Sequence, residues 1–382
     1  MKPRRLLFIN SVKFWGGGEN WSLSTCQGLR ARGHRVILVC QPESPLEERA
    51  IQAGLRIVPL RMRGDFDPWT ILRLIKLMRR ERVELVCVNR DKETRLAGIA
   101  TKLIGVPLVK RRGSDFPFPN KLRFKLTYRY LVAHIIANSD ATRDTLLRGN
   151  RWLKPNQIER IYNGIDPAGY RAAHGFQIRD ELRIGRDAPL VGIIGLLNER
   201  KGHRTLFQAM EGLRREIPEI RLLVVGEGKI EAEMMRLAEQ LGIGQYVLFM
   251  GLRRDIPEIL AALDVLALPS SREGFGYVLV EAMAAEKPVV ATNVSSIPEI
   301  VMDGVTGILV PPGKPDALRQ AIHRLLNDRG LARSMGAAGR RRAEEKFSIA
   351  RMLDEVEGLF ERIIPCHRTG ARRISPSVTR LR

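Results

Sequence analysis

Short apolar runs alternate with longer amphipathic stretches along the whole chain. In the first half the apolar runs predict buried strands at residues 6–10, 36–40, 57–60, 85–89, 108–110, 135–138 and 158–162, with helices between them. Strands that alternate with helices predict a mostly parallel, doubly wound α/β sheet. Ligands bind such sheets beyond the carboxyl ends of the strands, so the loops at that edge are the candidate sites.

The same alternation starts again at residues 190–195 and continues to residue 312, which predicts a second Rossmann-like unit. A chain of 382 residues is longer than one core usually serves. We place the boundary at Asp166, after the Asn163-Gly164 turn, so that the domains are residues 1–166 and 167–364. Residues 167–189 are interpreted as a linker with one short helix. The basic tail, residues 365–382, is predicted to be disordered.

Composition narrows the class of protein. No apolar run approaches the roughly 20 residues that span a bilayer. The apolar run near the N-terminus is too short for the core of a signal peptide. Four cysteines lie far apart without the spacing of metal ligands; they are Cys26, Cys40, Cys87 and Cys366. We therefore expect reduced thiols in a cytoplasmic protein.

The net charge of +22 is unevenly divided. Residues 1–170 carry 32 Lys and Arg against 15 Asp and Glu, whereas residues 171–365 carry 27 of each. The excess therefore lies on the first half and the tail, and it favours an anionic partner there. Nucleic acid, anionic lipid headgroups and a phosphorylated glycolipid all satisfy this charge.

The stretch from residue 269 to 288, PSSREGFGYVLVEAMAAEKP, carries the most specific chemistry. It follows an apolar run, places Glu273 in a glycine-rich turn and continues into a helical segment with a second carboxylate, Glu281. A strand that delivers a glycine-rich turn to a helix N-terminus forms an anion site, because free N–H groups and the positive end of the helix dipole meet there. The alternative is a helix with two solvated carboxylates.

This stretch resembles the signature of the retaining glycosyltransferases of family 4, in which two Glu are separated by seven residues within an EGFG…EAMA context. The resemblance implies the GT-B fold, with two Rossmann-like domains facing each other across a cleft. It implies an acceptor-side first domain, a nucleotide-sugar-binding second domain, and a last helix, about 349–364, that packs back on the first. The implied activity is metal-independent hexosyl transfer from a UDP- or GDP-linked sugar, with no cofactor.

The resemblance also implies roles for individual residues. Glu273 would lie against the donor sugar as a catalytic residue, and Glu281 would bind the ribose hydroxyls. Lys201 matches the family's Lys before Gly and would stabilise the leaving diphosphate. Relatives often carry an Arg where Leu196 stands, and Arg200 is a candidate substitute. The remaining donor-binding candidates are the backbone of Gly274, Phe275 and Gly276 and the glycines Gly16, Gly17 and Gly18.

The glycine triplet does not complete a dinucleotide-binding pattern, because Trp21 stands where a third glycine is needed. A tight turn without a ligand is the alternative for it. The acceptor-side candidates are three residues that follow the fifth predicted strand: Arg111, Arg112 and Asp115. Family relatives commonly carry a His in that neighbourhood, so which first-domain residue contacts the sugar stays open. A solvated basic loop is the alternative there.

Two further segments have structural explanations. Asp65-Phe66-Asp67 spells the D-x-D of metal-dependent glycosyltransferases, but Asp67 before Pro68 is explained by a helix N-cap followed by proline. No metal site is therefore predicted. Residues 121–132 alternate cations with apolar residues; the family resemblance favours a helix there. That helix is either an ordinary packing helix or a surface for an anionic membrane face.

We therefore expect a glycosyltransferase that acts on a glycan or anionic glycolipid in cell-envelope polysaccharide or lipopolysaccharide synthesis. It would be cytoplasmic, with peripheral contact to the inner membrane face, and would bind no specific nucleic acid. One alternative is a nucleic-acid-binding protein, although no recognised binding signature is present. Another is a nucleotide-sugar epimerase or phosphorylase on the same fold.

Overall fold

A computed structural model describes residues 2–364, so Cys366 and the predicted tail lie outside the described residues. The first sheet has seven parallel strands in the order β3-β2-β1-β4-β5-β6-β7. Its strands are β1 (Arg5–Asn10), β2 (Arg35–Cys40), β3 (Arg56–Pro59), β4 (Leu85–Val88), β5 (Leu108–Arg112), β6 (His134–Ala137) and β7 (Ile158–Arg160). The predicted strands are all present, with ends that shift by one or two residues.

The second sheet has six parallel strands in the order β10-β9-β8-β11-β12-β13. They are β8 (Leu190–Ile194), β9 (Arg221–Val225), β10 (Val247–Phe249), β11 (Val265–Leu268), β12 (Val289–Thr292) and β13 (Ile308–Val310). Both sheets reverse their strand order at one point, between β1 and β4 and between β8 and β11. The predicted fold class, two Rossmann-like parallel units of the GT-B type, is confirmed.

Helices cover both faces of each sheet, so the strands are apolar throughout rather than alternating. In the first half they are α1 (Gly17–Ala31), α2 (Pro45–Gln52), α3 (Pro68–Arg80), α4 (Asp91–Ile104), α5 (Leu122–Tyr130) and α6 (Asp140–Gly149). In the second half they are α7 (Pro167–Arg171), α8 (Phe176–Glu181), α9 (His203–Glu216), α10 (Glu231–Gln240), α11 (Ile256–Ala262), α12 (Tyr277–Ala284), α13 (Ile297–Ile300), α14 (Pro315–Asn327), α15 (Arg329–Lys346) and α16 (Ile349–Ile363). Short 3-10 turns occupy Pro155–Gln157, Glu199–Lys201 and Gly244–Tyr246.

The linker differs from its prediction, because residues 167–189 contain two short helices rather than one. The Asp166 side chain accepts a hydrogen bond from the Ala168 N–H, and Pro167 occupies the first helical position of α7. This is the same cap that the sequence indicates for α3, where Asp67 accepts from the Trp69 N–H and precedes Pro68. The interpretation of Asp67 as an N-cap is confirmed, and the same Asp-Pro pattern at Asp166 marks the start of α7.

The last helix, α16, lies on the first lobe. Its buried side chains join the core formed by α1, β1 and β2; they are Met352, Leu353, Val356, Leu359 and Phe360. The chain crosses back through a short parallel bridge, in which the Ile165 N–H donates to Phe347 O and the Ile349 N–H donates to Ile165 O. We call residues 2–166 with α16 the N-lobe, and residues 167–348 the C-lobe.

The three described cysteines are buried free thiols, as predicted; they are Cys26, Cys40 and Cys87. Burial raises the pKa of the Cys40 and Cys87 thiols to about 12. Within residues 2–364, no helix combines the length and the apolar character that crossing a bilayer requires.

Gly164 is the tightest point of the crossing and yields a stability prediction. A Cβ at this position would lie 2.7 Å from Ile349 Cα and 2.8 Å from Ser348 O, both of them backbone atoms that cannot rotate away. We expect Gly164→Ala to lower the free energy of unfolding by about 1–3 kcal/mol through overpacking. Gly185→Ala is the matched control, because its Cβ would meet open space. Equal stability of both variants in urea denaturation would contradict this account.

Candidate active site

Two turns of the C-lobe meet because β8 and β11 are neighbours in the sheet. The turn after β8 and the turn after β11 both lie at the carboxyl edge, where the strand order reverses. The Ser271 N–H donates to Arg200 O at 2.8 Å and joins the two turns. Gly202 has φ +75°, and a Cβ there would lie 2.0 Å from Pro269 O. Only glycine therefore allows this close approach.

The two turns bring Lys201 and Glu273 into contact. Lys201 Nζ lies 2.6 Å from Glu273 Oε2, and the side chains are only 13% and 11% exposed. Burial would raise the pKa of Glu273, but the charge and hydrogen bond of Lys201, the charge of Arg200 and the Gly274 N–H together hold it below its usual value. The carboxylate is therefore ionised in the closed pair. Gly195 leaves room for the Lys201 side chain, since a Cβ there would lie 3.3 Å from Lys201 Cε.

The predicted helix N-terminus forms beside this ion pair. Gly276 caps α12 with φ +85°, a conformation that L side chains rarely adopt. The Phe275 ring does not face the cleft but packs in the C-lobe core, against the rings of Tyr162, Tyr277 and Phe347. In the turn formed by Gly274, Phe275 and Gly276, the groups suited to bind an anion are therefore the backbone N–H groups.

Glu281 lies one turn into the same helix. Burial raises its pKa to about 7, although a hydrogen bond with Tyr170 opposes that rise. Tyr170 comes from α7 in the linker, and its own pKa is also raised, first by burial and then by the charge of Glu281. The second predicted carboxylate thus lies beside a tyrosine whose position in the linker gave no signal in the sequence.

The N-lobe contacts the turn of residues 269–276 directly. A Cβ on Gly274 would lie 2.3 Å from Gly113 O, so the two backbones touch. Ser139 Oγ donates to Gly274 O at 3.2 Å, and Arg272 Nη1 donates to Asp115 O at 3.1 Å. The loops that carry the candidate residues therefore meet between the lobes.

The glycine triplet lies in this contact at the start of α1. A Cβ on Gly17 would lie 3.1 Å from the ring of Tyr277, the first residue of α12. A Cβ on Gly18 would lie 2.6 Å from Asn89 Nδ2. Gly16 is the N-cap of α1 in extended conformation, so its backbone does not require glycine. Close packing against Tyr277 across the cleft explains Gly17, and close packing against Asn89 within the N-lobe explains Gly18, both without a ligand. Their predicted contact with the donor stays a prediction.

The three acceptor-side candidates have different positions. Arg111 is buried beside the triplet, where Nη2 donates to Asn163 Oδ1 at 3.1 Å and Nη1 donates to Asn89 Oδ1 at 3.4 Å. Arg112 instead donates to Phe116 O, and the Asp115 carboxylate accepts from Thr145 Oγ1 at 2.6 Å. Arg111 therefore belongs to the cleft, whereas the side chains of Arg112 and Asp115 fasten their own loop.

Two residues near Arg111 were missed by sequence reasoning. Glu19 is 2% exposed, and burial raises its pKa against the opposing hydrogen bond from Asn10. The Tyr277 hydroxyl is buried without a hydrogen-bond partner among the described residues, and burial raises its pKa too. Glu19 in the first turn of α1 is what any helix dipole favours, so its sequence position did not distinguish it from an ordinary helix start.

Other buried polar atoms at these turns also have no protein partner within residues 2–364. They are Asn198 Oδ1, Ser270 Oγ and both ring nitrogens of His203. Buried polar atoms are normally hydrogen-bonded, so a cluster of exceptions requires a specific explanation such as a bound polar ligand. In the same range no three His, Cys, Asp or Glu side chains come together as metal ligands. The predicted absence of a metal from the reaction stays a prediction.

The fold and this site define a class of protein: a GT-B protein with two parallel, Rossmann-like lobes and a carboxylate–ammonium pair in the cleft. Comparison with known proteins then identifies the family. The family described as "Glycosyl transferases group 1" matches residues 176–342, and "Glycosyltransferase Family 4" matches residues 15–168. The chain belongs to the family-4 glycosyltransferases.

Three known proteins illustrate the likeness. The N-acetyl-alpha-D-glucosaminyl L-malate synthase of Bacillus anthracis is 29% identical over 259 residues, which cover 68% of this chain and 66% of that protein. The alpha-maltose-1-phosphate synthase of Mycolicibacterium smegmatis is 32% identical over 301 residues, covering 71% of this chain and 77% of that protein. The crystal structure of Anabaena Alr3699/HepE with UDP and glucose has a TM-score of 0.85 at 22% identity, covering 94% of this chain and 100% of that one.

These similarities support different conclusions about the chain. At 22% identity the Anabaena structure shows the fold of this chain and not its ligand. The chain spans slightly less than two thirds of the Bacillus anthracis synthase, 66%. The substrates of the chain are therefore matters for proposal.

The raised pKa of Glu281 predicts a pH dependence of stability. Its pKa is about 7 in the folded protein against an ordinary 4.5. Between these values the unfolded chain loses this proton while the folded chain keeps it, so stability falls as pH rises from 4.5 to 7 and is level above. We expect wild type to lose about 2–3 kcal/mol relative to Glu281→Gln between pH 5 and pH 8. If urea unfolding gave the same stability difference between wild type and Glu281→Gln at pH 5 and at pH 8, the assignment would be contradicted.

Proposed function

We propose that the protein transfers a hexosyl group from a UDP- or GDP-linked sugar to a hydroxyl of a glycan or glycolipid, with retention of configuration and without a metal. The observation that supports this most is the Lys201–Glu273 pair, with 2.6 Å between Nζ and Oε2, at the N-terminus of α12. The Lys201 ammonium group suits the phosphate end of a donor, and the Glu273 carboxylate suits its sugar. The family to which the chain belongs supports the same reaction class.

The departing nucleoside diphosphate develops negative charge, and cations with helix N–H groups stabilise it. Lys201 would leave Glu273 for the diphosphate, with the backbone N–H groups of Gly274 to Gly276 on the same side. Arg200 immediately precedes Lys201 in the same turn, and its charge helps to lower the pKa of Glu273. Leu196 stands where relatives often carry Arg, and its side chain is 49% exposed. Arg200 is our candidate for the missing cation.

Glu273 would accept hydrogen bonds from the sugar hydroxyls and stabilise positive charge at the anomeric carbon. The acceptor oxygen would attack this carbon on the face from which the diphosphate leaves. The new C–O bond would form as the old one breaks with its electron pair moving to the phosphate, which takes the acceptor's proton. No covalent intermediate on the protein is required. Glu281 would accept from the ribose hydroxyls.

The acceptor is proposed from charge. Residues 1–170 carry a large excess of Lys and Arg, and Arg111 is a buried cation on the N-lobe side of the cleft. An anionic glycolipid of the cell envelope, such as a lipopolysaccharide core or a lipid-linked precursor, fits this charge. The protein would then work on the cytoplasmic side, at the inner membrane face.

The nucleic-acid alternative makes a different prediction. Binding through phosphates alone would be tight and would weaken steeply with salt, without a shift in thermal stability by nucleotide sugars. A screen of UDP- and GDP-linked sugars should instead raise the melting temperature for one base class, because ligands stabilise the folded state by mass action. An epimerase would convert the donor without an acceptor, and product analysis by NMR separates it from a transferase.

Neutral, nearly isosteric substitutions test the two central roles. We expect Glu273→Gln and Lys201→Met each to lower the rate of transfer by about 100-fold or more, since each removes charge stabilisation of the transition state. Lys201→Met leaves Glu273 buried without its partner, so the double variant is the stability reference, and all three variants should retain the folded circular dichroism spectrum. Glu211→Gln on α9 and Lys154→Met before β7 are controls outside the cleft. Transfer at the wild-type rate in either single variant would refute the roles.

A further inference from the structure

Exposed apolar side chains are concentrated on one face of the N-lobe. Trp69 is 74% exposed and Leu72 is 56% exposed, both in the first turns of α3. Leu122 is 70% exposed and Leu126 is 47% exposed, both on α5. Phe66, just before α3, is 62% exposed. Exposed apolar side chains with polar residues around them can mark an interaction site.

These side chains share one side of the sheet. Helices α3, α4 and α5 pack on the same core, and α4 lies between the other two. Asp65 connects them, because its Oδ2 lies 2.5 Å from Arg95 of α4 and 3.8 Å from Arg123 of α5. We call Phe66, Trp69, Leu72, Leu122, Leu126 and Tyr130 the α3–α5 face.

Cations surround the α3–α5 face. Residues 60–80 and 120–131 contain ten Lys and Arg against two Asp. Both acids are occupied, since Asp65 is in the ion pairs above and Asp67 caps α3. The outer side of α3 continues beyond Leu72 with exposed cations; they are Arg73, Lys76, Arg79 and Arg80. An apolar centre with a cationic rim is the pattern of an in-plane membrane surface.

The first turns of α3 and α5 follow the carboxyl ends of β3 and β5, at the edge of the sheet where the cleft lies. In a parallel sheet the helices begin at the carboxyl edge of the strands, so the apolar first turns of α3 and α5 share that edge with Arg111 and the glycine triplet. A bilayer that contacts this face would therefore lie beside the opening of the cleft. An acceptor sugar could reach the site while its lipid stays in the membrane.

We propose that the α3–α5 face binds the surface of an anionic phospholipid bilayer, with Trp69 and the leucines at headgroup depth and the cations against lipid phosphates. The proposal explains how the proposed glycolipid acceptor is met, and it rests on the proposed function in that respect alone. Binding itself is measured without sugar transfer. Failure of either idea can therefore be recognised separately.

The test is cosedimentation of the full chain with vesicles of phosphatidylglycerol and phosphatidylethanolamine. We expect Leu122→Ser/Leu126→Ser to lower partitioning about tenfold or more, because two apolar contacts are lost. Each cation near an anionic surface contributes about fivefold, so Lys121→Gln/Arg129→Gln should cost on the order of 25-fold. Leu252→Ser and Arg215→Gln are matched controls on the C-lobe, at 63% exposure for Leu252 and 76% for the Arg215 side chain. Both should bind like wild type.

Trp69 supplies a direct readout of depth. Brominated phosphatidylglycerol should quench the fluorescence of wild type on vesicles, and Trp69→Phe should lose most of that quenching. Equal binding of the face variants and wild type, or equal binding to neutral phosphatidylcholine vesicles, would overturn the proposal. So would leucine variants that bind vesicles normally but change the oligomeric state or weaken binding to RNA. Loss of transferase activity with vesicle binding intact would count against the proposed function and leave this surface standing.

Discussion

The candidate chemistry of the C-lobe depends on one ion pair, between Lys201 and Glu273. Two charges removed from water cost several kcal/mol, and mutual attraction does not guarantee a net gain. The surrounding fold holds them together: β8 and β11 are adjacent, Gly202 lets one turn touch the other, and Gly195 gives the lysine room. A buried pair of this kind is weak support for stability alone. Its position at a helix N-terminus in the cleft is what suits it to a ligand with an anionic end and a polar end.

Polar contacts are among those that join the two lobes. The Glu299 carboxylate of the C-lobe accepts from the Asp140 and Ala141 N–H groups at the start of α6 in the N-lobe. Arg272 reaches a backbone carbonyl of the N-lobe, and its guanidinium lies 4.4 Å from the centre of the Phe116 ring. Such contacts are individually modest in free energy.

Much of the fold was predictable because apolar runs, caps and glycine turns are local. The strands, the cap of α3 and the doubly wound class followed from the sequence pattern. Contacts between distant parts of the chain could not be predicted from local patterns. Lys201 and Glu273 are 72 positions apart, and only the family resemblance linked their roles. The sequence did not predict roles for Tyr170, Glu19 and Tyr277, because each occupies an ordinary position in its own helix. Their environment is made by other elements that fold against them. Arg112 and Asp115 are the opposite case. Their sequence positions predicted contact with the acceptor, but their side chains hold a loop in place.

We propose that Lys201 leaves Glu273 to bind the donor diphosphate, and calorimetry with UDP and GDP tests this most directly. Removing the carboxylate charge should free the ammonium group, so Glu273→Gln should bind its nucleoside diphosphate more tightly than wild type. Removing the ammonium group should weaken the same binding by about tenfold or more, as expected for a charge-assisted hydrogen bond. If both substitutions weaken nucleoside diphosphate binding alike, or neither changes it, the pair does not hold the donor and the central claim is wrong.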